Sequence, residues 1–410
     1  MNYNLNTKNN DSLSILGYGC MRFPLKNGKI DYEETKKLLQ TAVGLGVNYF
    51  DTAYVYHNGE SEEVVGRFFD ESGLRKKVKI ATKLPLFSIK RAGEFEELFK
   101  TQLKKLRTDY VDYYLLHSIT GLSQYEKFKK MGVLDWAKAH IDDGSIKNLG
   151  FSYHGTKDDF MKILDDYDWG FVQIQYNYLD ENFQAGKEGL RRANKLGIPV
   201  IIMEPLQGGN ITDKLPAHVR EYWQSLEPKR TLADWALRWV WNDEGVLLLL
   251  SGMSTLKQLT ENCETASTAV AGGLSAAELE YFGRAKILLS STKKIPCTAC
   301  QYCVPVCPKH IDIPGCFTDY NKKFAERQNK SKDKLTQKIK RKAMPYVNHM
   351  ISTGAIGESP ALASSCIACK SCERHCPQGI KISDELKNVV KELEGPFFSL
   401  IKIGGRFVLK

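Results

Sequence analysis

Two cysteine runs near the C-terminus limit what this chain can fold into more than any other feature. They read Cys297-x2-Cys300-x2-Cys303-x3-Cys307-Pro308 and Cys366-x2-Cys369-x2-Cys372-x3-Cys376-Pro377. Two-residue gaps put three thiolates around one corner of an iron–sulfur cubane, each on its own iron. The fourth cysteine, held before proline, points away and ligates the other cluster. The spacing therefore predicts two 4Fe-4S clusters, one on Cys297, Cys300, Cys303 and Cys376 and the other on Cys366, Cys369, Cys372 and Cys307. A pair of zinc sites or a disulfide framework is the alternative. Zinc sites want four ligands in two pairs, and disulfide frameworks belong to small secreted chains.

The remaining cysteines, Cys20, Cys263 and Cys316, are odd in number, which speaks against a closed set of disulfides and for a reducing compartment. The polar N-terminus offers no secretory signal, and the longest apolar run is far short of the roughly 20 residues of a membrane span. A cytoplasmic protein is expected. At 410 residues, 42% hydrophobic and 26% charged, the chain has the composition of a globular protein of two or three domains. Residues 321–342 hold ten Lys and Arg against two acids, a net +8 within a total of +10. A solvated helix face beside negatively charged clusters accounts for that run. An acidic redox partner such as a free ferredoxin is the second reading, and nucleic acid ranks below both.

From residue 15 to about 265, β-branched or aromatic runs alternate with amphipathic ones. The strand candidates are residues 15–20, 48–53, 78–84, 110–117, 146–153, 171–177, 199–205 and 246–253. Helical patterns at 31–45 and 231–241 separate some of them, with Asp31 and Ser61 as capping residues. Eight βα units over roughly 250 residues predict a closed (β/α)8 barrel of the TIM type rather than an open sheet. A further helix is expected at 275–289. The expected domains are then a barrel over 1–290, a mainly α-helical ferredoxin-like iron–sulfur domain over 291–385 with a basic helical insert at 317–360, and a tail over 386–410. The 58 residues between Cys307 and Cys366 are rich in Lys, Glu, Gln, Ala and Met and should be helical.

Barrel enzymes place their reacting groups where strands end. Asp51 ends the second strand candidate, Tyr56 follows in its loop, Lys83 ends the third and His117 ends the fourth. One such residue is unremarkable; four at successive strand ends around one mouth make a candidate catalytic site.

These residues, with Ala81-Thr82-Lys83, Gly150-Phe151-Ser152, Gln173, Glu204-Pro205-Leu206, Gly208, Gly209 and the stretch from Gly252 to Asn262, resemble the aldo/keto reductase family over roughly residues 13–266. The resemblance implies that Tyr56 donates a proton to a carbonyl oxygen, that Lys83 and Asp51 lower its pKa, and that His117 orients the substrate. It implies nicotinamide contacts from Ser152 and Gln173, backbone contacts along Glu204, Leu206, Gly208 and Gly209, and an adenosine-end site at Gly252, Ser254, Gln258, Glu261 and Asn262. Lys257 tilts the expected cofactor to NADP over NAD. Tyr153 and Met203 depart from the family pattern. The cysteine-bearing half resembles a helical two-cluster ferredoxin domain fused to an oxidoreductase.

Three functions are compatible with these features. The first is a nicotinamide-dependent carbonyl/alcohol oxidoreductase that moves electrons through two 4Fe-4S clusters. The second is a plain NADPH carbonyl reductase whose clusters brace the fold or sense oxygen. The third is an electron-transfer adaptor with an inactive barrel. A nicotinamide yields two electrons as a hydride whereas a cubane takes one, and no flavin site is legible that would split the pair; the need for a flavin is open.

Overall fold

The computed structural model describes the chain except residues 291–293, 298, 300, 302, 329–334, 356–359, 377 and 399–410, together with the side chains of 290, 326–328 and 335–343. Cys300 therefore lies outside the described residues.

All eight strand candidates form strands, and they close into a parallel barrel. In chain order these are β1 (Leu16–Gly19), β2 (Tyr49–Asp51), β3 (Lys79–Leu84), β4 (Tyr113–Ile119), β5 (Leu149–Tyr153), β6 (Phe171–Gln175), β7 (Val200–Met203) and β8 (Val246–Ser251). Closure is made by β8 against β1, with Leu249 opposite Leu16 and Leu250 opposite Gly17.

Successive strand residues point to opposite faces, and the two cores follow that alternation. Tyr49, Ala81, Tyr113, Leu115, Phe171, Ile201 and Leu248 fill the barrel interior. Their neighbours Phe50, Ile80, Tyr114, Leu116, Val172 and Ile202 pack outward under the helices. One step further along the inward face come Asp51, Lys83, His117, Ser152 and Gln173. The interior is thus an apolar plug beneath a polar mouth, as expected where loops at the C-terminal ends of barrel strands build the site.

The helices begin where their caps predict. Asp31 accepts a hydrogen bond from Glu34 N at the start of Tyr32–Gly44, and Thr231 caps Leu232–Trp241 through Asp234 N. Ser61 does not act as a cap: it is the first residue of Ser61–Glu71, and its hydroxyl is turned inward to Cys20 O and Thr52 Oγ1. The helix expected at 275–289 is Ala276–Ser290. It lies in a separate aromatic cluster of Tyr178, Trp223, Trp235 and Phe282, which packs it on the barrel wall.

The long spacer between the cysteine runs is helical, as expected, with Ile313–Gln328 and Leu335–Ser352. A third helix, Ile382–Leu393, sends Leu386, Val389 and Leu393 into the same core as Cys303, Cys307 and Cys372. That core therefore continues past residue 385, and Phe398 packs on Met350 and Leu362 beyond it. Holding the three helices together is His349, fully buried, between Asp319 Oδ2 at 3.1 Å and Glu394 Oε1 at 2.9 Å. Burial alone would lower its pKa, but the two carboxylates outweigh burial and raise it to about 9. No helix among the described residues is long and apolar enough to cross a membrane.

Candidate active site and cysteine cavities

Asp51 and Lys83 meet because β2 and β3 are neighbours, paired at Asp51 with Ala81. The Lys83 ammonium donates to Asp51 Oδ1 at 2.5 Å, to Thr52 O at 2.7 Å and to Tyr56 Oη at 3.2 Å, which occupies its three N–H groups. Lys83 is 1% exposed and Asp51 is 2%. Burial acts to lower the Lys83 pKa, but Asp51 and then Tyr56 overcome it, so the pKa lies above its usual value and the side chain is charged.

Tyr56 has its pKa raised, not lowered. Burial is the largest cause; Lys83 pulls the value down and Asp51 pushes it up. The expectation that lysine and aspartate both lower it holds here for the lysine alone, and burial outweighs the lysine. The phenol keeps its proton. His117 stands over it edge-on, with ring centroids 6.3 Å apart, and Phe87 flanks its other side at 5.8 Å. Burial, then the charge of Lys83, drives the His117 pKa well below its usual value, so the ring is neutral. Its Nδ1 has no hydrogen-bond partner among the described residues.

Behind Lys83 lies a buried network that sequence reasoning missed. Glu62 Oε1 accepts from Thr82 Oγ1 and Gln102 Nε2, each at 2.6 Å, and Gln102 also donates to Lys83 O at 3.0 Å. It fixes the strand that carries the ammonium. The helical spacing of Glu62 gave no sign of it, because its partners are 20 and 40 residues away.

The residues expected to hold a nicotinamide are partly engaged. Gln173 Nε2 donates to Asp51 Oδ2 at 2.9 Å, and Ser152 Oγ accepts from Ser118 N at 2.8 Å, leaving its O–H free to donate. The two side chains are register partners on β5 and β6. Tyr153 lies in the outer layer with its hydroxyl on Thr156 O at 2.6 Å, so it takes no part in the mouth. Half-buried Met203 ends β7.

Along the rim, Glu204 is exposed, with its carbonyl accepting from Asn177 Nδ2 at 3.4 Å, and Leu206 is half-buried. Gly208 and Gly209 have φ of 63° and 88°, which favours glycine. Space adds a second reason at Gly208. A Cβ there would sit 2.5 Å from the Arg22 guanidinium, and one at Gly252 would sit 3.0 Å from Arg22 Cδ. The exposed Arg22 side chain thus lies across both glycines, a cation where a pyrophosphate is expected, and sequence reasoning missed it.

Ser254, Gln258 and Glu261 gather at the N-terminal end of Leu256–Thr268. Gln258 Oε1 accepts from Ser254 N at 3.0 Å, Glu261 pairs with Lys257 at 3.8 Å, and buried Asn262 donates to Ser251 Oγ at 3.1 Å.

The cysteines gather around two small cavities of nearly equal size. Cys297, Cys303 and Cys376 line the first; Cys307, Cys366, Cys369 and Cys372 line the second. Each run therefore sends its fourth cysteine to the other run's cavity, the exchange expected from the motif.

The two loops share one backbone shape. Ala299 and Gln301 have φ of 56° and 68°, and Ala368 and Lys370 have 56° and 58°. Non-glycine residues adopt this region at a cost of order 1–3 kcal/mol each, so its repetition needs a cause. The outcome is an amide aimed at sulfur: Ala299 N donates to Cys297 Sγ and Ala368 N to Cys366 Sγ, both at 3.4 Å. Backbone N–H groups turned to anionic sulfur suit cluster thiolates.

Comparison with known proteins agrees with this division. A model of the aldo/keto reductase family matches residues 15–271, and one of a 4Fe-4S dicluster domain matches residues 296–382. "Aldo-keto reductase yakc [NADP(+)]" of Schizosaccharomyces pombe is 27% identical over 213 residues, covering 50% of this chain and 61% of that protein. "NADH-specific methylglyoxal reductase" of Escherichia coli is 25% identical over 297 residues, covering 61% of this chain and 89% of that protein. Among solved structures, the holo form of an aldo-keto reductase from Bacillus halodurans aligns with a TM-score of 0.59 at 23% identity, over 70% of this chain and 96% of that one. One from Klebsiella pneumoniae in complex with NADPH aligns with a TM-score of 0.55 at 21% identity, over 69% of this chain and 95% of that one. With its family model covering more than half of its length, the chain belongs to the aldo/keto reductase family.

Proposed function

We propose that the protein is an NADPH-dependent carbonyl/alcohol oxidoreductase whose eight cysteines hold two 4Fe-4S clusters that exchange electrons with the barrel mouth. The observation that carries the barrel half of this reading is the Lys83 ammonium shared between Asp51 and Tyr56 in a buried mouth. When bound, the nicotinamide supplies a hydride and the clusters supply one-electron chemistry. Ser152 and Gln173 would hold the nicotinamide ring, Arg22 with the backbone of Gly208 and Gly209 the pyrophosphate, and Ser254, Gln258, Glu261 and Asn262 the adenosine end.

The protein's own part is positional and acidic. Burial holds the proton on Tyr56 Oη at neutral pH, so the group is ready to donate to a carbonyl oxygen. The phenolate left by that donation lies 3.2 Å from a fixed ammonium, which stabilises charge that appears only as the proton moves. Asp51 keeps that ammonium charged. Neutral His117, unpartnered at Nδ1, can hydrogen-bond the substrate oxygen without competing as an acid.

A contact between the halves brings the first cysteine cavity against the barrel, as electron exchange requires. Asn182, in the loop after β6, donates to Ala299 O at 3.2 Å and accepts from Gln301 Nε2 at 2.5 Å, and Gln301 lines the first cysteine cavity. The test is anaerobic protein of measured iron and sulfide content, assayed for cluster absorbance that bleaches on adding NADPH. Tyr56→Phe should lower carbonyl reduction by about 10²–10⁴ while iron content stays constant. Absorbance that never bleaches removes the electron-exchange part; Tyr56→Phe turnover equal to wild type removes the carbonyl chemistry.

A further inference from the structure

The two cysteine cavities are alike in size and loop geometry but not in what surrounds them. The first has no charged residue in its lining, and the barrel loop at Asn182 covers its Ala299–Gln301 segment. The second is as enclosed as the first but differs at its rim. Cys369 is exposed there, Ile367 is 57% exposed, and Lys309 and Lys370 line the mouth with no carboxylate among the lining residues.

Further out, Arg374 and Lys381 are also exposed, and none of these four bases forms an ion pair among the described residues. Two ionised acids stand nearby, Glu373 on Ser383 N at 2.9 Å and Asp384 paired with Lys387 at 2.9 Å, and both feel Lys370, so the four bases outnumber them on this face. A small apolar centre with a basic rim around an exposed cysteine is suited to brief docking of a negatively charged protein.

The basic run at 321–342 is a poorer candidate where it is described. Lys322 lies over the Phe183 ring and 4.0 Å from Asp180, and Lys323 donates to Tyr346 Oη at 3.0 Å and pairs with Glu392 at 3.4 Å. Lys323 is buried against the rest of the chain, and Lys322, though partly exposed, leans on the barrel loop.

We propose that the face over the second cavity, centred on Ile367 and Cys369 and flanked by Lys309 and Lys370, docks an acidic one-electron carrier protein. The proposal rests on the reading of the eight cysteines as cluster ligands. Each docked carrier gains one electron and is reduced as the chain, itself reduced by NADPH, loses that electron, so the two electrons of one hydride require two dockings. The first cavity meets the barrel through Gln301 and Asn182.

The test uses anaerobic full-length protein and flavodoxin, an acidic, iron-free one-electron carrier, with binding followed by flavin fluorescence anisotropy at low and high salt. Wild type should bind in a salt-sensitive way. Lys309→Glu/Lys370→Glu should raise Kd by about tenfold or more, because rim charges set association and its salt dependence. Lys76→Glu/Lys77→Glu, the same charge change at exposed barrel lysines, should leave Kd within about twofold. Loss of binding in both variants alike, or no binding by wild type, overturns the proposal. Iron and sulfide are measured on the same samples. Protein that contains iron but shows no Lys309/Lys370 dependence refutes this surface alone; protein without iron refutes the cluster reading and this surface with it.

Discussion

Replacing Lys83 with methionine removes one partner of an ion pair that is nearly sealed from water, with exposures of 1% and 2%. Met fills similar space, so the change is mainly electrostatic. Asp51 retains Gln173 Nε2 at 2.9 Å but loses the ammonium at 2.5 Å, and its charge is left inside the barrel. Breaking a buried pair in this way costs about 3–5 kcal/mol, whereas neutralising both partners costs far less. At roughly 2–4 °C per kcal/mol for a unit of this size, Lys83→Met should melt about 6–20 °C below wild type. Lys83→Met/Asp51→Asn should recover most of that loss, to within about 1–2 kcal/mol of wild type. Tryptophan fluorescence is a clean assay, since all six tryptophans lie between Trp136 and Trp241 and report the barrel alone. A Lys83→Met barrel that melts within about 2 °C of wild type, or a double variant no more stable than the single, would refute the claim that the pair is buried and coupled.

The second domain should lose stability as pH rises. The pKa of His349 is about 9 in the fold and about 6.5 when unfolded, so its contribution is complete below about 6.5 and disappears as pH climbs through 9. The change is on the order of 3 kcal/mol. Hydrogen exchange of the helix Ile313–Gln328 should show it, and His349→Gln should flatten the dependence; protection that stays constant across that pH window argues against a charged His349. For Arg22, the change to Ala should weaken NADPH binding by about tenfold, the worth of a charge-assisted contact. Quenching of tryptophan fluorescence measures it, and a Kd within twofold of wild type would free Arg22 of any cofactor role.

The barrel was legible because its signal is local: each strand is a short apolar run, and every one of the eight candidates became a strand, trimmed at its ends except the fourth, which runs two residues past His117 to Ile119. The hairpin of Leu25–Lys26 with Lys29–Ile30 was equally local and was overlooked, although its Asn27-Gly28 turn, with φ of 54° and 81°, is a strong hairpin signal. The terminal pair Tyr3–Leu5 with Ser12–Ser14 is polar and gave little to read. What the sequence hid was relational. Arg22 matters only because it lies over Gly208 and Gly252, more than 180 residues away. Counting charge along the chain drew attention to 321–342, of whose bases only Lys322 and Lys323 have described side chains, and it passed over the exposed bases around Cys369, which are scattered from 309 to 381. The Tyr56 pKa was misread for a similar reason, since burial is a property of the assembled mouth.

The seam between the halves bears on why the second domain is there. Asp180, in the loop that meets the first cysteine run, accepts from Gln175 at the end of β6 at 2.9 Å and from Gln207 after β7. Gln175 shares the inward face of β6 with Gln173, which holds Asp51. The second domain is therefore tied through a few polar side chains to the floor that carries the Asp51–Lys83–Tyr56 chain. A brace could use this seam just as well. A brace, however, gains nothing from the other end of the domain, where a cysteine is exposed among lysines that form no ion pair among the described residues: burying Cys369 would protect it from oxidation and add apolar contact. A cysteine exposed among basic residues at one cavity, and a barrel loop hydrogen-bonded to the rim of the other, are what the proposed electron path between surface and barrel mouth needs and what a brace does not.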